Sequence, residues 1–541
     1  MTSTPDRRQL SLAQQVARLL VVRCSGHLGD GQRRYPRWEL PNAELKRLLG
    51  QGVGGVILLG GSASELRLRT DQLQRWAGQS LLLCADVEEG VGQRFEGASW
   101  LPPPLALGLL HASDPARAIA LASAYGHCTG RQARLLGLNW VLAPVCDVNN
   151  NPANPVINVR AWGEDPVTAG QLVAAFIAGA QAEGVLGCAK HFPGHGDTDS
   201  DSHLELPRLP HGRRRLEAVE LPPFRAAIEA GVATVMTGHL LLPELDPDRP
   251  ATLSPLVLEQ LLRRELGFGG LVVTDALVME AIAARWGAGE AAVLAFEAGA
   301  DLLLMPADAD AAINALLEAL ASGRISRARL EQSLGRRERA LARVAAPPSD
   351  PTAPEALEGI ESSAELALAR ELVAVSLLSQ GRPGLPPGPG LNLIRVDSVL
   401  ANPFLPLMAP ALQRPARNGY AACLIDGRSP SPWSGEAAAP LAVDRLAPGP
   451  VLLQLFVRGN PFRGSAGGEE PWPAVVHQLL GAGRLAGLAI YGSPYLWQAI
   501  RPLLPKGLPA AYCPGQMPLA QALLLDRLGL AGGGLEGGFT D

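Results

Sequence analysis

Between residues 17 and 306 the chain repeats one unit: a short apolar run, a polar or Gly-rich turn, and a longer amphipathic stretch. The apolar runs occupy 19–22, 53–59, 81–85, 140–143, 185–189, 233–236, 271–273 and 302–305. They are β-rich or continuously hydrophobic, the pattern of strands covered on both faces. The stretches between them, such as 114–137 and 167–184, carry helical spacing and often close on Gly. Strands and helices alternating in this way predict a closed (β/α)₈ TIM-type barrel over residues 1–345, in preference to an open sheet.

The pattern breaks at Pro347, Pro348, Pro351 and Pro354, which mark a linker over 346–358. Beyond it, apolar runs at 391–394, 421–425, 451–456, 485–490 and 510–512 alternate with helical or loop segments. They predict a smaller α/β sandwich-like domain over 359–541, with Pro/Gly-rich loops at 381–390 and 429–450. Ionisable residues do not cluster there, so the plain reading of this domain is a structural or interface unit.

Composition narrows the function. With 541 residues, 47% hydrophobic and 18% charged, the chain has ample material for buried cores. A net charge of -5 and the lack of a long basic run argue against electrostatically driven nucleic-acid binding. The local run Arg213-Arg214-Arg215 reads as a solvated helix start. No apolar run is long enough to span a bilayer, and the N-terminal stretch lacks a secretory pattern. The seven cysteines are odd in number and scattered without a C-x-x-C; Cys84, Cys146 and Cys188 read as buried free thiols. These features together predict a cytoplasmic protein with no membrane partner.

Polar residues follow the apolar runs in a regular way: Asp86, Asp147, Lys190 with His191, His239 and Asp275. In a barrel all of these lie on the C-terminal rim, where active sites are built. One Asp after a strand is usually a helix cap or a turn residue; so many such endings together point to a ligand site. The densest stretch is Lys190-His191-Phe192-Pro193-Gly194-His195-Gly196-Asp197-Thr198-Asp199-Ser200-Asp201-Ser202-His203. Pro193, Gly194 and Gly196 exclude a regular helix, so this reads as a loop leaving the strand at 185–189. Its His and Asp residues are also metal-ligand types. An H-x-x-x-H pair needs a helix to bring both imidazoles to one face, and Pro-Gly between His191 and His195 forbids one. The reading is therefore a site without metal or cofactor, with a hydrogen-bonded Asp/His turn as the bland alternative. Two further elements are Asp275 after the run Leu271-Val272-Val273 and the segment from Asp147 to Pro166, in which Arg160 suits an oxygen-rich ligand.

These three elements, in this order and spacing, resemble glycoside hydrolase family 3, specifically its β-N-acetylglucosaminidase branch, over about residues 10–345. The ending Asp201-Ser202-His203 selects that branch. The resemblance implies that Asp275 is the nucleophile, that His203 is the general acid/base, and that Asp201 orients His203. It implies that Lys190, His191 and Arg160 contact sugar hydroxyls. The segment Asp86-Val87-Glu88-Glu89-Gly90-Val91-Gly92-Gln93-Arg94-Phe95 is similar to the family's Asp-x-Glu-Gly-Gly-Arg-Val-x-Arg-Phe, which makes Asp86 a sugar contact and brings Arg94 to the site. One Gly and one Arg of that pattern are replaced here, by Glu89 and Val91.

The chemistry implied is retaining hydrolysis of terminal β-linked N-acetylglucosamine from peptidoglycan fragments, through a glycosyl-Asp intermediate. An imidazole titrates near ~6.5 and needs little tuning to donate and then accept a proton. Two rivals stand beside it. A neutral base repels an anionic acceptor less than a carboxylate would, which makes a phosphorylase with the same residues a variant of this reaction. The altered loop at 89–91 suggests a catalytically silent carbohydrate-binding protein.

Overall fold

The computed structural model describes residues 9–198, 206–347, 357–396, 404–426, 442–458 and 471–531. Most of the expected linker and residues 429–441 of the second expected loop lie outside the described residues.

The first region holds eight parallel strands: β1 (Leu20–Ser25), β2 (Gly55–Leu59), β3 (Leu82–Ala85), β4 (Trp140–Val141), β5 (Cys188–Phe192), β6 (Thr234–Thr237), β7 (Leu271–Val273) and β8 (Leu303–Leu304). Two sheets, ordered β4-β3-β2-β1-β8 and β5-β6-β7, are joined by the bridges Trp140↔Leu186 and Val273↔Leu302. The strands thus follow one another around a TIM-type barrel. Val21, Leu82, Trp140, Met236 and Val273 fill its interior, while a larger shell of Leu, Val and Ala packs the strands against the surrounding helices. Both faces of each strand are covered, which is why the apolar runs are continuous.

The helices start where their sequence dictates. Asp114 accepts from the Arg117 amide ahead of the helix Pro115–Leu135, and Asp165 accepts from the Thr168 amide ahead of Pro166–Ala182. Each pairs a carboxylate cap with a first-turn Pro, whose missing N–H costs nothing there.

One strand differs from expectation. β5 begins at Cys188 and runs to Phe192, so Lys190 and His191 belong to the strand and not to the loop after it. Polar residues mid-strand look like a loop in sequence. Here they are accommodated because opposite charges meet them at the barrel mouth.

The second region is a six-stranded sheet of β9 (Leu378–Gln380), β10 (Gly390–Val396), β11 (Tyr420–Ile425), β12 (Val451–Val457), β13 (Leu485–Gly492) and β14 (Ala510–Cys513). Its order is β11-β10-β12-β13-β14-β9, parallel except for β9 on β14. Leu453 and Leu455 face the helices Trp472–Gly481 and Pro494–Ile500. Leu452 and Phe456 face Ser363–Ser376 and Pro518–Arg527. This alternation gives the α/β sandwich expected. The short edge strand β9 escapes the hydrophobic pattern because two of its three residues are exposed.

Candidate active site

Four charges meet at the C-terminal mouth of the barrel. Asp86 follows β3, Glu88 lies two residues on, Lys190 stands in β5, and Arg160 ends the turn Asn158–Arg160. Lys190 Nζ lies 2.8 Å from Asp86 Oδ1 and 2.7 Å from Glu88 Oε1. Arg160 grips the same Glu88 through a fork, Nε to Oε2 and Nη2 to Oε1, both at 2.8 Å. Lys190 and Glu88 are almost fully buried, whereas 37% of the Asp86 side chain stays open to solvent.

Formal charge cancels in this quartet, which is what allows it to be buried. Burial alone would raise the Asp86 carboxyl, but Lys190 and Arg94 outweigh it and hold its pKa below the ordinary value. The same contest, won by Arg160 and Lys190, holds Glu88 well below the carboxylate range. Lys190 is pushed upward in spite of burial, by Asp86 and Glu88. The site therefore keeps two carboxylates, an ammonium and a guanidinium charged across the neutral range.

A second group sits beside it. Asp147 is fully buried and accepts from the His191 amide at 3.2 Å, from His191 Nδ1 at 2.8 Å and from the His195 amide at 2.7 Å. An ionised carboxylate only accepts, so the proton on Nδ1 is held there and Nε2 is the ring nitrogen left for a ligand. Burial would raise Asp147, and His191 lowers it below the usual value. His195 is held neutral by burial, down to about 4, and its Nδ1 lies 2.7 Å from Thr198 Oγ1. Gly196 lets this stretch pass close to the β4 loop; a Cβ there would stand 1.7 Å from the Val148 carbonyl oxygen.

Asp275 follows Thr274 at the end of β7, half-buried on the same rim. Its amide lies 3.4 Å from Thr237 Oγ1, and its Oδ1 accepts from the Ala276 amide at 2.8 Å. His239, fully buried after β6, donates from Nε2 to the Ala276 carbonyl at 3.1 Å. That bond ties the Asp275 turn to the neighbouring strand end. Arg94 is exposed, and its Nε donates to the Asp86 carbonyl at 2.9 Å, so it hydrogen-bonds the loop backbone while its charge favours the ionised Asp86 carboxylate.

Asp201 and His203 lie outside the described residues. The ends of the segment that carries them are joined by His211, whose Nε2 lies 2.7 Å from Asp197 Oδ2. Asp197, His211 and Glu220 offer metal-ligand atoms within 4.8 Å of one another. However, Arg215 Nη2 stands 3.2 Å from both Asp197 and Glu220. A guanidinium already supplies the positive charge that a metal would bring.

Asp86, Lys190 with His191 and Asp275 lie at the C-terminal ends of β3, β5 and β7, and Arg160 reaches the same mouth from the turn Asn158–Arg160 through Glu88. Sequence reasoning had no role for Glu88 and gave Asp147 only a place on the rim. The signal for Glu88 was its place two residues after Asp86; Asp147 looked like any turn-forming Asp.

The chain is similar to known proteins in both of its regions. Residues 11–340 match the glycosyl hydrolase family 3 N-terminal domain, and 388–529 match the bacterial glycosyl hydrolase family 3 C-terminal domain. A beta-hexosaminidase A of Pseudoalteromonas piscicida is 34% identical over 332 residues, 56% of this chain and 55% of that protein. The chain thus matches little more than half the length of that relative. A beta-hexosaminidase of Stenotrophomonas maltophilia (strain R551-3) is 36% identical over 284 residues, 51% of this chain and 84% of that protein. The solved family 3 beta-N-acetylglucosaminidase from Paenibacillus sp. str. FPU-7 superposes with a TM-score of 0.75 at 30% identity, covering 97% of each chain. With its barrel matched over residues 11–340 and its second domain over 388–529, the chain belongs to glycosyl hydrolase family 3.

Proposed function

We propose that the protein is a retaining exo-β-N-acetylglucosaminidase acting on small peptidoglycan fragments. The observation that supports this reading is the position of Asp275 after β7, with the Lys190–Asp86 and His191–Asp147 pairs at the ends of neighbouring strands, on the C-terminal side of a family 3 barrel. A sugar hydroxyl both donates and accepts, so carboxylates set beside an ammonium and a guanidinium match a vicinal diol. In this reading Asp86, Lys190, His191, Arg160 and Arg94 hold the sugar at its outer hydroxyls and so place its anomeric carbon over Asp275.

The reaction runs in two displacements. Asp275 attacks the anomeric carbon, the glycosidic C–O bond breaks, and His203 gives its proton to the departing oxygen. His203, held by Asp201, then takes a proton from water as that water breaks the glycosyl-Asp bond, and the β configuration is restored. The peptidoglycan assignment rests on the resemblance of the 190–203 stretch to the N-acetylglucosaminidase branch. A cytoplasmic location fits seven unpaired cysteines, six of them buried, and the absence of any membrane-length apolar helix among the described residues.

The test is incubation with a chromogenic N-acetyl-β-glucosaminide, with and without phosphate, followed by product identification. Free N-acetylglucosamine, formed first as the β-anomer and unaffected by phosphate, is the expected product. A sugar 1-phosphate formed in phosphate buffer would make the protein a phosphorylase instead. No turnover of any such substrate would leave the silent binding protein.

A further inference from the structure

The β3 loop departs from the family pattern at Glu89, where Gly is usual. A carboxylate that is 1% exposed needs a partner, and among the described residues no barrel cation forms a salt bridge with it. The partner comes from the second domain: Arg458, directly after β12, brings Nη2 to 2.6 Å from Glu89 Oε1. The Trp100 indole N–H donates to Oε2 at 2.9 Å, and the Trp100 ring packs on the second-domain core that contains Phe456 and Tyr491. The Glu89 carbonyl also accepts from the Leu101 amide at 2.8 Å, which fixes the loop backbone at the same point.

A second contact lands on the neighbouring loop. The Tyr495 hydroxyl, three residues past β13, donates to Glu164 Oε1 at 2.7 Å and accepts from Asn149 Nδ2 at 2.9 Å. The two loops gripped in this way are those that carry Asp86 with Glu88 and Arg160. Glu88, adjacent to Glu89, is the residue on which both Lys190 and Arg160 converge.

We infer that Glu89 and Arg458 are positioning residues: through this buried ion pair the second domain holds the β3 loop so that Asp86 and Glu88 meet Lys190. The barrel's substrate site is then complete only with the second domain docked. Breaking the pair leaves one buried charge uncompensated, and the least costly relief is for the loop to move toward water. The inference takes Asp86 and Lys190 as the sugar site, in keeping with the proposed function, for its kinetic arm alone.

The test uses the full chain and the variants Arg458→Gln, Arg458→Lys, Glu89→Gln and the double Glu89→Gln/Arg458→Gln. Hydrogen exchange should quicken across 86–101 in Arg458→Gln while β6 and β7, across the barrel, keep wild-type protection. KM for 4-nitrophenyl N-acetyl-β-glucosaminide should rise about tenfold with kcat within about twofold, the split of a lost ground-state contact. Arg458→Lys should restore most of that KM, and the double variant should be no worse than Arg458→Gln alone. If Arg458→Gln fails to fold, Glu89→Gln carries both readouts. Unchanged exchange across 86–101, or a variant KM equal to wild type, overturns the inference. Should the wild-type chain fail to cleave the glycoside, the proposed function falls, while the exchange result still decides this coupling.

Discussion

Lys190 Nζ is shared by two carboxylates, 2.8 Å from Asp86 Oδ1 and 2.7 Å from Glu88 Oε1, at a position where the lysine is 1% exposed. The ammonium is what allows those carboxylates to stand together. Lys190→Met keeps much of the side-chain volume and removes the charge, leaving Asp86 to face Glu88 directly. The expected loss is about 3 kcal/mol, the lower end for a broken buried pair because Asp86 is partly open to water. The sign with pH follows from the lowered Asp86 and Glu88 values. Their stabilisation is present above the unfolded carboxylate range and lost as pH falls below it, so the deficit of the variant should shrink in acid. Urea denaturation of both proteins from pH 6 down to about pH 2.5, through and below the unfolded carboxylate values of about 4, measures it, and a deficit that grows in acid would contradict the pairing.

Asp275→Asn removes the proposed nucleophile while keeping an Oδ1 that can accept the Ala276 amide as the carboxylate does. Turnover should fall by at least about 10⁴-fold, while the thermal transition stays near that of wild type. A slow-turnover fluorinated sugar should add one glycosyl mass to a peptide containing residue 275 of the wild-type protein. Labelling at another carboxylate would move the nucleophile there.

The barrel is legible in the sequence because each strand is covered on both faces, so its residues read as one unbroken apolar run. The exception marks the site. β5 was expected at 185–189 and lies at Cys188–Phe192, since Lys190 and His191 are polar where strand residues should be apolar. Their polarity is matched by Asp86, Glu88 and Asp147, which come from other strands and are invisible to a local pattern. The rim residues Asp86 and Asp275 are legible by their position after a strand. Asp147 is not distinguished from a turn residue until its three donors are seen. Glu89 is visible in the chain as a departure from a pattern, but its partner, Arg458, lies 369 residues away in another domain.

His195 gives a pH dependence whose sign opposes that of a paired histidine. Burial lowers its pKa to about 4, against about 6.5 when unfolded. Between those values the unfolded chain binds a proton that the folded protein refuses, so stability falls as pH drops from about 6.5 toward 4. The loss from this one residue is on the order of 3 kcal/mol. His195→Gln, which cannot titrate, should flatten that limb of the stability curve even if it lowers stability at pH 7. Urea midpoints at half-unit steps from pH 7.5 to 4.5 make the comparison; parallel curves for the two proteins would place the acid sensitivity in another group.

The role proposed for His203 rests on leaving-group chemistry and is tested there. If His203 donates a proton to the departing oxygen, its loss should harm substrates with poor leaving groups most. An aryl oxide of low pKa departs with little help, so in His203→Ala its release should survive better than that of an alkyl glycoside. Water still needs a base to attack the glycosyl-Asp275 bond, so the covalent intermediate should accumulate. Azide attacks without a base and should restore turnover, giving a β-glycosyl azide because the second displacement inverts the α-linked intermediate. Asp201→Ala keeps the imidazole and loses only its orientation, so its defect should have the same dependence on leaving group and be milder. A rate series over leaving groups of graded pKa, for wild type and both variants with and without azide, separates these outcomes. Equal losses for every leaving group and no azide rescue would reduce His203 to a residue that shapes its loop, and the proton donor would then have to be sought among the rim groups around Asp275.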